Sequence, residues 1–403
     1  MPYLTKGDII LDAGNEHWTN TERRQGICYT KGIRYIGVGV SGGYQAARDG
    51  MSLCPGADDE SLDLILPLLQ KIAAKNDKGE PAVTKAGLGG AGHYVKMIHN
   101  GIEHGMMSAI AEAWQIMNVG LGMSYDQIAK EMDRWNSKGQ LRGTFLIRIG
   151  ADICRTKDKD GHSVLADVED KVVQDITGEE GTGIWSNEEA IAKHIPAPTL
   201  NAAHAFRLAS ADRGQRIRAK QAMDGNYPPR PLSNVNNKAI FVEELRVATY
   251  LSCLTSFIQG FNIIERADRE YKWNIDYANV LQIWSAGCII QADYIRDLFE
   301  PIMQNYKKKD TINLLFEESI ARELKDGLPM LRSVVSLCAQ KDHIIPALSA
   351  SLEYIKYQTN TALPASFYEA ELDYFGKHMF DKKGEAGTEA PTEGKHHYEW
   401  KPT

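Results

Sequence analysis

A chain of 403 residues, of which 43% are hydrophobic and 25% charged, has enough apolar material for two or three folded domains. Its formal net charge of −7 argues against a surface whose main task is to bind nucleic acid. The sequence shows no long apolar run and no basic-then-apolar N-terminal signal, which argues against membrane spanning and secretion. Six scattered cysteines without a CxxC pair indicate buried thiols in a reducing compartment. Composition therefore favours a soluble, cytoplasmic enzyme.

Residues 1–86 are predicted to form a small α/β unit. Residues 8–12 and 34–40 are short apolar runs bounded by turn residues, as strands buried in a parallel sheet are. Residues 59–75 carry an apolar pattern with a helical period. Only two or three strands can be counted, and no GxGxxG turn follows the first of them. The unit is therefore predicted to be a partial Rossmann-like fold.

Two turns that follow the predicted strands contain candidate binding residues. Asn15 lies just beyond the first strand, and Ser41, Gly42 and Gly43 directly follow the second. Ligands of open α/β sheets bind beyond the carboxyl ends of the strands, where small residues let backbone amides approach closely. Without that context, an asparagine or a Ser-Gly-Gly sequence is as often an ordinary turn, so the local pattern leaves both interpretations open.

A glycine-rich run, residues 87–92, opens into a segment that keeps a helical period for about seven turns. Lys96, Asn100 and Glu103 are spaced i, i+4 and i+7, so they share one face of this helix. A second face is apolar and is predicted to meet a core; its residues are Val95, Ile98, Ile102, Met106 and Ala109. Lys96 and Glu103 lie roughly 10 Å apart along the axis, which is too far for a direct pair but suits the two sides of a small substrate.

Two residues between Lys96 and Glu103 strengthen the interpretation that this face of the helix binds a small substrate. His99 and Asn100 can both donate and accept hydrogen bonds, as the binding of hydroxyl groups requires. The spacing alone fits a surface helix with scattered polar residues equally well.

Residues 90–103, GAGHYVKMIHNGIE, resemble the signature of the 6-phosphogluconate dehydrogenase family. The resemblance implies that Lys96 and Glu103 are catalytic. It implies substrate contacts for three neighbouring residues, which are His99, Asn100 and His104. The last of these stands where the family has tyrosine, and a histidine can still form hydrogen bonds there.

The same resemblance extends to the first segment and to the cofactor. It implies that Asn15 contacts both the substrate and NADP, and that Ser41, Gly42 and Gly43 contact the substrate. The glycine run at residues 87–92 follows no convincing strand and has no acidic partner about 20 residues on, so it is not predicted to be the dinucleotide turn. Compared with the family, the chain is expected to begin partway through the coenzyme domain.

Residues 87–360 are mostly helical by period, and they resemble the all-helical domain of the family, including the string WSAGCII at residues 284–290. Helices are predicted at residues 121–135, 139–153, 234–268 and 283–304, with a polar surface excursion at residues 156–177. The fold class is thus α/β plus all-α, with a partial coenzyme domain at residues 1–86, a helical domain at 87–360 and an extended tail at 361–403.

The tail also resembles that of the family, in which it threads into the partner subunit and completes the partner's active site. This implies a homodimer and a substrate contact for His378. His396 and His397 are interpreted as tail residues that dock the chain end, with metal binding a distant alternative. The resemblance calls for no metal, because the lysine polarises the substrate carbonyl.

The phosphate-binding cations of the family are replaced in this chain. The resemblance places them on Ile184, near Phe206 with Arg207 one position off, and on Leu372. A basic cluster lies nearby and is most often a solvated helix face; its residues are Arg207, Arg213, Arg216, Arg218 and Lys220.

The resemblance implies NADP-dependent oxidative decarboxylation of 6-phosphogluconate to ribulose 5-phosphate, a step of the oxidative pentose phosphate pathway. Because the residues that carry the chemistry remain while three cations do not, two alternatives stay open. One is a sister dehydrogenase that acts on a 3-hydroxy acid without a phosphate. The other is a non-catalytic, dimerising family member that lacks the cofactor site.

Overall fold

The computed structural model describes residues 3–173, 181–223, 227–306, 313–385 and 394–401. The chain divides into two compact units, Met1–Tyr354 and Ile355–Thr403.

The first segment of the chain folds as a three-stranded sheet with the order β1-β2-β3. The strands are β1 (Ile9–Asp12), β2 (Arg34–Ser41) and β3 (Ser52–Gly56), and the helices between and after them are α1 (Trp18–Tyr29), α2 (Gly43–Asp49) and α3 (Asp59–Ile72). β1 pairs with β2 in parallel, and β2 pairs with β3 in antiparallel orientation. Both predicted strands are confirmed. Ile36, Val38 and Leu53 of the sheet share a buried apolar cluster with Leu62 and Leu69 of α3.

The rest of the described chain is helical. Its helices are α4 (Ala91–Gln115), α5 (Tyr125–Ser137), α6 (Phe145–Arg155), α7 (Thr182–Ala192), α8 (Pro198–Ala211), α9 (Arg213–Ala222), α10 (Lys238–Tyr271), α11 (Tyr277–Ile283), α12 (Asp293–Asn305), α13 (Glu318–Ala339), α14 (Pro346–Gln358) and α15 (Ala365–Gly376). A π-helical turn, Ile116–Gly120, extends α4, and 3-10 turns lie at Val164–Asp167 and Leu314–Phe316. A small α/β layer followed by a large helical domain is the predicted fold class.

α4 runs through the middle of the first unit and is buried along almost all of its length. Its first turn packs directly on the sheet, because a glycine stands at each point of contact. A Cβ on Gly92 would lie 2.4 Å from the carbonyl oxygen of Cys54, and a Cβ on Gly39 would lie 2.3 Å from the Cβ of Lys96. Helix and strand therefore approach backbone to backbone, and this contact places Lys96 beside β2.

α10 is the second buried helix of this unit and crosses α4. It is long and apolar enough to cross a membrane by length and composition, but its apolar stretch lies entirely inside the protein. A helix that is apolar on all sides is expected to pack in the core of a large domain. α10 occupies that position.

The four helices predicted in this part of the chain begin or end elsewhere; the one expected at residues 234–268 is α10, Lys238–Tyr271. The helix expected from residue 121 begins at Tyr125, because Ser124 and Gln127 form a capping box there. The helix expected from residue 139 begins at Phe145, since Gly143 has a left-handed backbone (φ 62°) that ends the preceding turn. The predicted helix 283–304 is wrong over residues 284–292: α11 ends at Ile283, and a loop precedes α12.

In the second unit, the chain end is held by an antiparallel bridge between Phe380 and His396 and by the carboxylate of Asp373. Asp373 of α15 accepts hydrogen bonds from His397 Nδ1 at 3.0 Å and from Trp400 Nε1 at 2.8 Å. The backbone N–H of Tyr398 and that of Met379 donate to the same carboxylate, both at 3.1 Å. The predicted docking of the chain end is confirmed.

Candidate active site

The predicted polar residues of α4 meet the end of β2 and the loop after α11 in one buried hydrogen-bond network. Ser41 Oγ lies 2.9 Å from His99 Nε2 and accepts from the backbone N–H of Ile289 at 3.2 Å. On the other side of the ring, His99 Nδ1 lies 3.0 Å from Asn100 Oδ1. Asn100 Nδ2 in turn donates to Thr182 Oγ1 at 2.7 Å. Four separate segments of the chain thus meet around His99.

The hydrogen bonds determine the tautomer of this histidine. Burial and the nearby charge of Lys96 hold the pKa of His99 well below its ordinary value, so the ring is neutral near pH 7 and carries one N–H. Asn100 presents its oxygen to Nδ1, so Nδ1 carries the proton and Nε2 accepts a hydrogen bond. Ser41 and Cys288, whose Sγ lies 3.1 Å from Nε2, are the donors available. Burial raises the pKa of Cys288 to about 11, which keeps its thiol protonated.

Lys96 and Glu103 lie on the same side of α4 as this network. Lys96 is buried, with 8% of its surface exposed, and its charge acts on His99 and Cys288. Glu103 is partly buried, and its Oε2 lies 3.7 Å from His99 Nδ1. Because these residues face the interior, the alternative interpretation of a surface helix is wrong.

The two predicted turns lie at neighbouring strand ends. Asn15 is exposed in the loop between β1 and α1. Gly42 precedes α2 and packs tightly, since a Cβ there would lie 2.4 Å from the carbonyl oxygen of Gly287. A Cβ on Gly43 would meet nothing within 4 Å, so there is open space beside the first turn of α2. The parallel pairing of β1 and β2 brings both turns to one edge of the sheet, as expected.

His104 is buried and stacks on a second histidine. Its ring lies parallel to that of His204 in α8, with centroids 5.9 Å apart and an angle of 4° between the planes. Both rings pack against Gly183 at the start of α7, where a Cβ would lie 2.6 Å from His104 Cε1. The sequence predicted His104 as a site residue, but it carried no signal for His204, which lies 100 residues further on.

The glycine run before α4 is not arranged as a phosphate cradle. Glu22 of α1 occupies the end of the helix, where its Oε1 accepts from the backbone N–H of Gly90 at 3.2 Å and from Trp273 Nε1 at 2.7 Å. A carboxylate at this position takes the place that an anionic ligand would otherwise fill. The prediction that the run is not the dinucleotide turn agrees with this geometry.

Two α9 arginines of the basic cluster form ion pairs with carboxylates. Arg213 lies 2.7 Å from Glu169, and Arg216 lies 2.8 Å from Asp170. These pairs are exposed, as the interpretation of a solvated face expects. Ile184 and Phe206 are apolar side chains with 37% and 38% of their surface exposed.

The remaining predicted site residue, His378, belongs to the second unit, and so does Leu372. His378 follows α15, and its ring centroid lies 6.0 Å from that of Phe375. Leu372 lies on α15 itself. The last part of the predicted polar excursion, residues 174–177, lies outside the described residues.

Within the described parts of the chain, no group of three or more His, Cys, Asp or Glu residues is arranged to hold a metal ion. His396 instead lies 2.6 Å from Glu385, and His397 bonds to Asp373. Both residues therefore act within the tail, as predicted.

The lysine, the neutral histidine and the amide lie where an α/β layer packs on helices, at the strand ends where the ligands of open α/β sheets bind. The family model for the C-terminal domain of 6-phosphogluconate dehydrogenase matches residues 92–400. The model for the NAD binding domain of the same family matches residues 1–87.

Individual relatives agree with these matches. A protein of Emericella nidulans, 6-phosphogluconate dehydrogenase, decarboxylating, is 45% identical, covering 99% of this chain and 83% of its own length. The protein of that name from Escherichia coli K12 is 36% identical, covering 96% of this chain and 81% of its own length. The solved structure of Plasmodium falciparum 6-phosphogluconate dehydrogenase superposes with a TM-score of 0.86 at 32% identity, covering 99% of this chain and 81% of that one.

The chain belongs to the 6-phosphogluconate dehydrogenase family. The similarity to these relatives extends over almost the whole chain and is not limited to residues 90–103.

Proposed function

We propose that this chain catalyses the oxidative decarboxylation of 6-phospho-D-gluconate to D-ribulose 5-phosphate and CO2 with reduction of NADP, as a step of the oxidative pentose phosphate pathway. The observation that carries the proposal is the closed network of Ser41, His99 and Asn100 beside the buried Lys96. The family relationship supports it, since the Plasmodium relative was solved with NADP+ and with 6-phosphogluconate.

The edge of the sheet fits one end of a dinucleotide. Asn15 is exposed beyond β1, and the open space at Gly43 lies beyond the adjacent parallel strand. These two turns would hold the nicotinamide end of NADP near Lys96. When bound, NADP accepts a hydride from C3 of the sugar acid.

Lys96 acts as the base and then as the acid of the reaction. Its neutral amine takes the proton of the C3 hydroxyl as C3 is oxidised, and it returns this proton to the 3-keto oxygen while the C1–C2 bond breaks and CO2 departs. Burial disfavours the charged ammonium form of a lysine, and this favours the neutral amine that the first step requires. Glu103 then protonates the former C2 in the enediol, which becomes C1 of ribulose 5-phosphate. Ser41, His99, Asn100 and His104 bind the hydroxyl groups and the carboxylate.

The proposal is tested by calorimetric titration with NADPH, followed by measurement of NADPH formation from 6-phosphogluconate. We expect saturable binding and turnover, and a loss of kcat on the order of 10²–10⁴-fold in Lys96→Ala, as for the removal of a general base. The exposed Lys130→Ala in α5 serves as the matched control and retains full activity. A folded wild-type chain that neither binds nucleotide nor turns over would contradict the proposal and favour the non-catalytic alternative.

A second candidate is supported by the apolar, exposed side chains of Ile184 and Phe206, where the resemblance places cations. In this alternative the same Lys96 and Glu103 chemistry acts on a 3-hydroxy acid that carries no phosphate. Each lost charge-assisted contact weakens phosphate binding by about 1.5–3 kcal/mol. A higher kcat/KM with gluconate than with 6-phosphogluconate would support this candidate.

We also propose that the chain works as a cytoplasmic homodimer, with the tail of each copy reaching into the other so that His378 contacts the substrate there. Three exposed aromatic residues of the tail, Phe367, Tyr368 and Phe375, support association with another surface. All six cysteines are free and buried, which supports a reducing compartment. Sedimentation at micromolar concentration distinguishes a dimer from a monomer, and fluorescence imaging of the tagged chain tests its location.

A further inference from the structure

Thr182 is a buried polar residue at the start of α7. It lies outside residues 90–103, the segment that resembles the family signature. Only 4% of its surface is exposed, and its Oγ1 receives the amide Nδ2 of Asn100 at 2.7 Å. Gly181, which precedes α7, provides no side-chain cap for the helix. The hydrogen bond that the structure shows for the Thr182 hydroxyl is the one with the side chain of Asn100.

α7 is held in place independently of this bond. Near its other end, Glu189 accepts from Tyr94 Oη at 3.0 Å and from Trp18 Nε1 at 3.4 Å. Tyr94 lies on α4 and Trp18 lies on α1. α7 is therefore hydrogen-bonded to the helical part of the first unit and to its α/β part. Because of these contacts, Thr182 is a fixed point from which the amide of Asn100 can be oriented.

The orientation of that amide matters for the residues beyond it. With Nδ2 directed at Thr182, Asn100 presents Oδ1 to His99 Nδ1, and this holds the proton on Nδ1. The free lone pair of His99 Nε2 then faces Ser41 Oγ, whose own acceptor site is used by the N–H of Ile289. The donors and acceptors form one continuous sequence from the Ile289 N–H to Thr182.

We infer that Thr182 is a positioning residue for the reaction, which orients Asn100 and, through it, the Nδ1–H tautomer of His99. It touches neither substrate nor cofactor in this assignment. The inference rests on the proposed function, because the effect on substrate binding can be measured only if the chain turns over its substrate. The effect on the histidine can be measured without turnover.

The first test compares Thr182→Val, which keeps the shape and removes the hydroxyl, with Thr182→Ser, which restores it. We expect Thr182→Val to raise the KM for 6-phosphogluconate on the order of ten-fold, because the amide of a substrate-binding asparagine loses its buried partner. The KM for NADP should stay within about two-fold, since the change removes contacts to one substrate only. Thr182→Ser should return the KM close to the wild-type value.

Thr249→Val in α10 is the matched control. This threonine is also fully buried, but its hydroxyl bonds only to the carbonyl of Leu245 in its own helix. It should leave both KM values unchanged. If Thr182→Val behaves like this control, or if Thr182→Ser fails to restore the KM, the inference is wrong.

The second test reads the tautomer directly from the nitrogen chemical shifts of ¹⁵N-histidine-labelled protein. In the wild type, His99 should show a protonated Nδ1, and Thr182→Val should show a mixture of tautomers. An unchanged Nδ1–H signal in the variant overturns the inference. A wild type that shows this signal but no turnover contradicts the proposed function instead, and the shift measurement still decides the role of Thr182.

Discussion

Glu112 is an ionisable side chain that α4 buries about four turns away from Lys96 and His99. Its carboxylate accepts from Ser108 Oγ at 2.7 Å and from the backbone N–H groups of Ala347 and Leu348, at 2.8 and 3.0 Å, in the first turn of α14. It thereby caps the N-terminus of a helix far from it in sequence. Burial raises the pKa of Glu112 to about 7, although these three hydrogen bonds oppose the shift.

The raised pKa of Glu112 predicts a dependence of stability on pH. Between its ordinary value of 4.5 and about 7, the folded chain binds a proton that the unfolded chain has released. The free energy of unfolding should therefore fall as pH rises through this window, by roughly 3 kcal/mol if no other group compensates. Glu112→Gln carries no titrating group and should flatten this part of the profile, as measured by urea unfolding at pH 5 and pH 7.5.

Glu318→Gln, on the exposed face of α13, controls for the change from glutamate to glutamine, since 90% of its side chain is exposed. It should keep the wild-type dependence on pH. An equal dependence in wild type and Glu112→Gln would show that Glu112 does not titrate in this range.

At the scale of elements, the contact between β2 and α4 positions the candidate site. Four glycines on facing segments, Gly37, Gly39, Gly56 and Gly92, leave no room for a side chain between sheet and helix. The first turn of α4 is further held by His93, whose Nδ1 lies 2.7 Å from Thr21 Oγ1. This close approach places Lys96 directly over the strand that ends in Ser41.

Gly39→Ala should push α4 away from the sheet, because its Cβ would overlap that of Lys96 and lie 2.9 Å from the carbonyl oxygen of Gly92. We expect a destabilisation of roughly 1–3 kcal/mol, as for other overpacked core sites. Because the contact between β2 and α4 positions Lys96, kcat should fall as well. Thermal unfolding and steady-state kinetics measure the two effects.

Gly26→Ala in α1 is the matched control, since a Cβ there would meet nothing within 4 Å. An alanine in a helix is expected to be neutral or slightly stabilising relative to glycine. Equal melting temperatures for Gly39→Ala and Gly26→Ala would contradict the proposed packing role of Gly39.

For the molecule as a whole, the Asp373 carboxylate is the group of the tail unit that accepts the most hydrogen bonds from the chain end. Burial alone would raise the pKa of Asp373, but the hydrogen bonds from His397 and Trp400, with two backbone N–H groups, hold it below its usual range. The carboxylate is thus charged at every pH at which the chain is expected to work, and the chain end is expected to stay docked.

Asp373→Asn should loosen the chain end, because an amide presents one acceptor atom where the carboxylate accepts four hydrogen bonds. We expect faster hydrogen exchange and faster proteolysis in residues 394–401. The exposed Asp381→Asn in the same unit should exchange and be cut like the wild type. Unchanged exchange in Asp373→Asn would mean that other contacts hold the chain end.

The sequence by itself determined the central helix and the side of it that carries chemistry. Periodicity is a local property, so the burial of Val95, Ile98 and Ile102 and the shared face of Lys96 and Asn100 could be derived from spacing alone. The two strands and the turns after them were likewise predicted from short apolar runs that end in small residues. The long motif around Lys96 carried the family assignment.

Only the tertiary structure decided which distant residues complete the site. Thr182 lies 82 residues from Asn100, and Cys288 lies 189 residues from His99; a threonine and a cysteine with no local pattern give no signal of these contacts. The same holds for Glu22 at the start of α4 and for the loop that interrupts the predicted helix after Ile283. Sequence patterns report the period of one element, whereas hydrogen bonds between elements depend on how the folded chain brings those elements together.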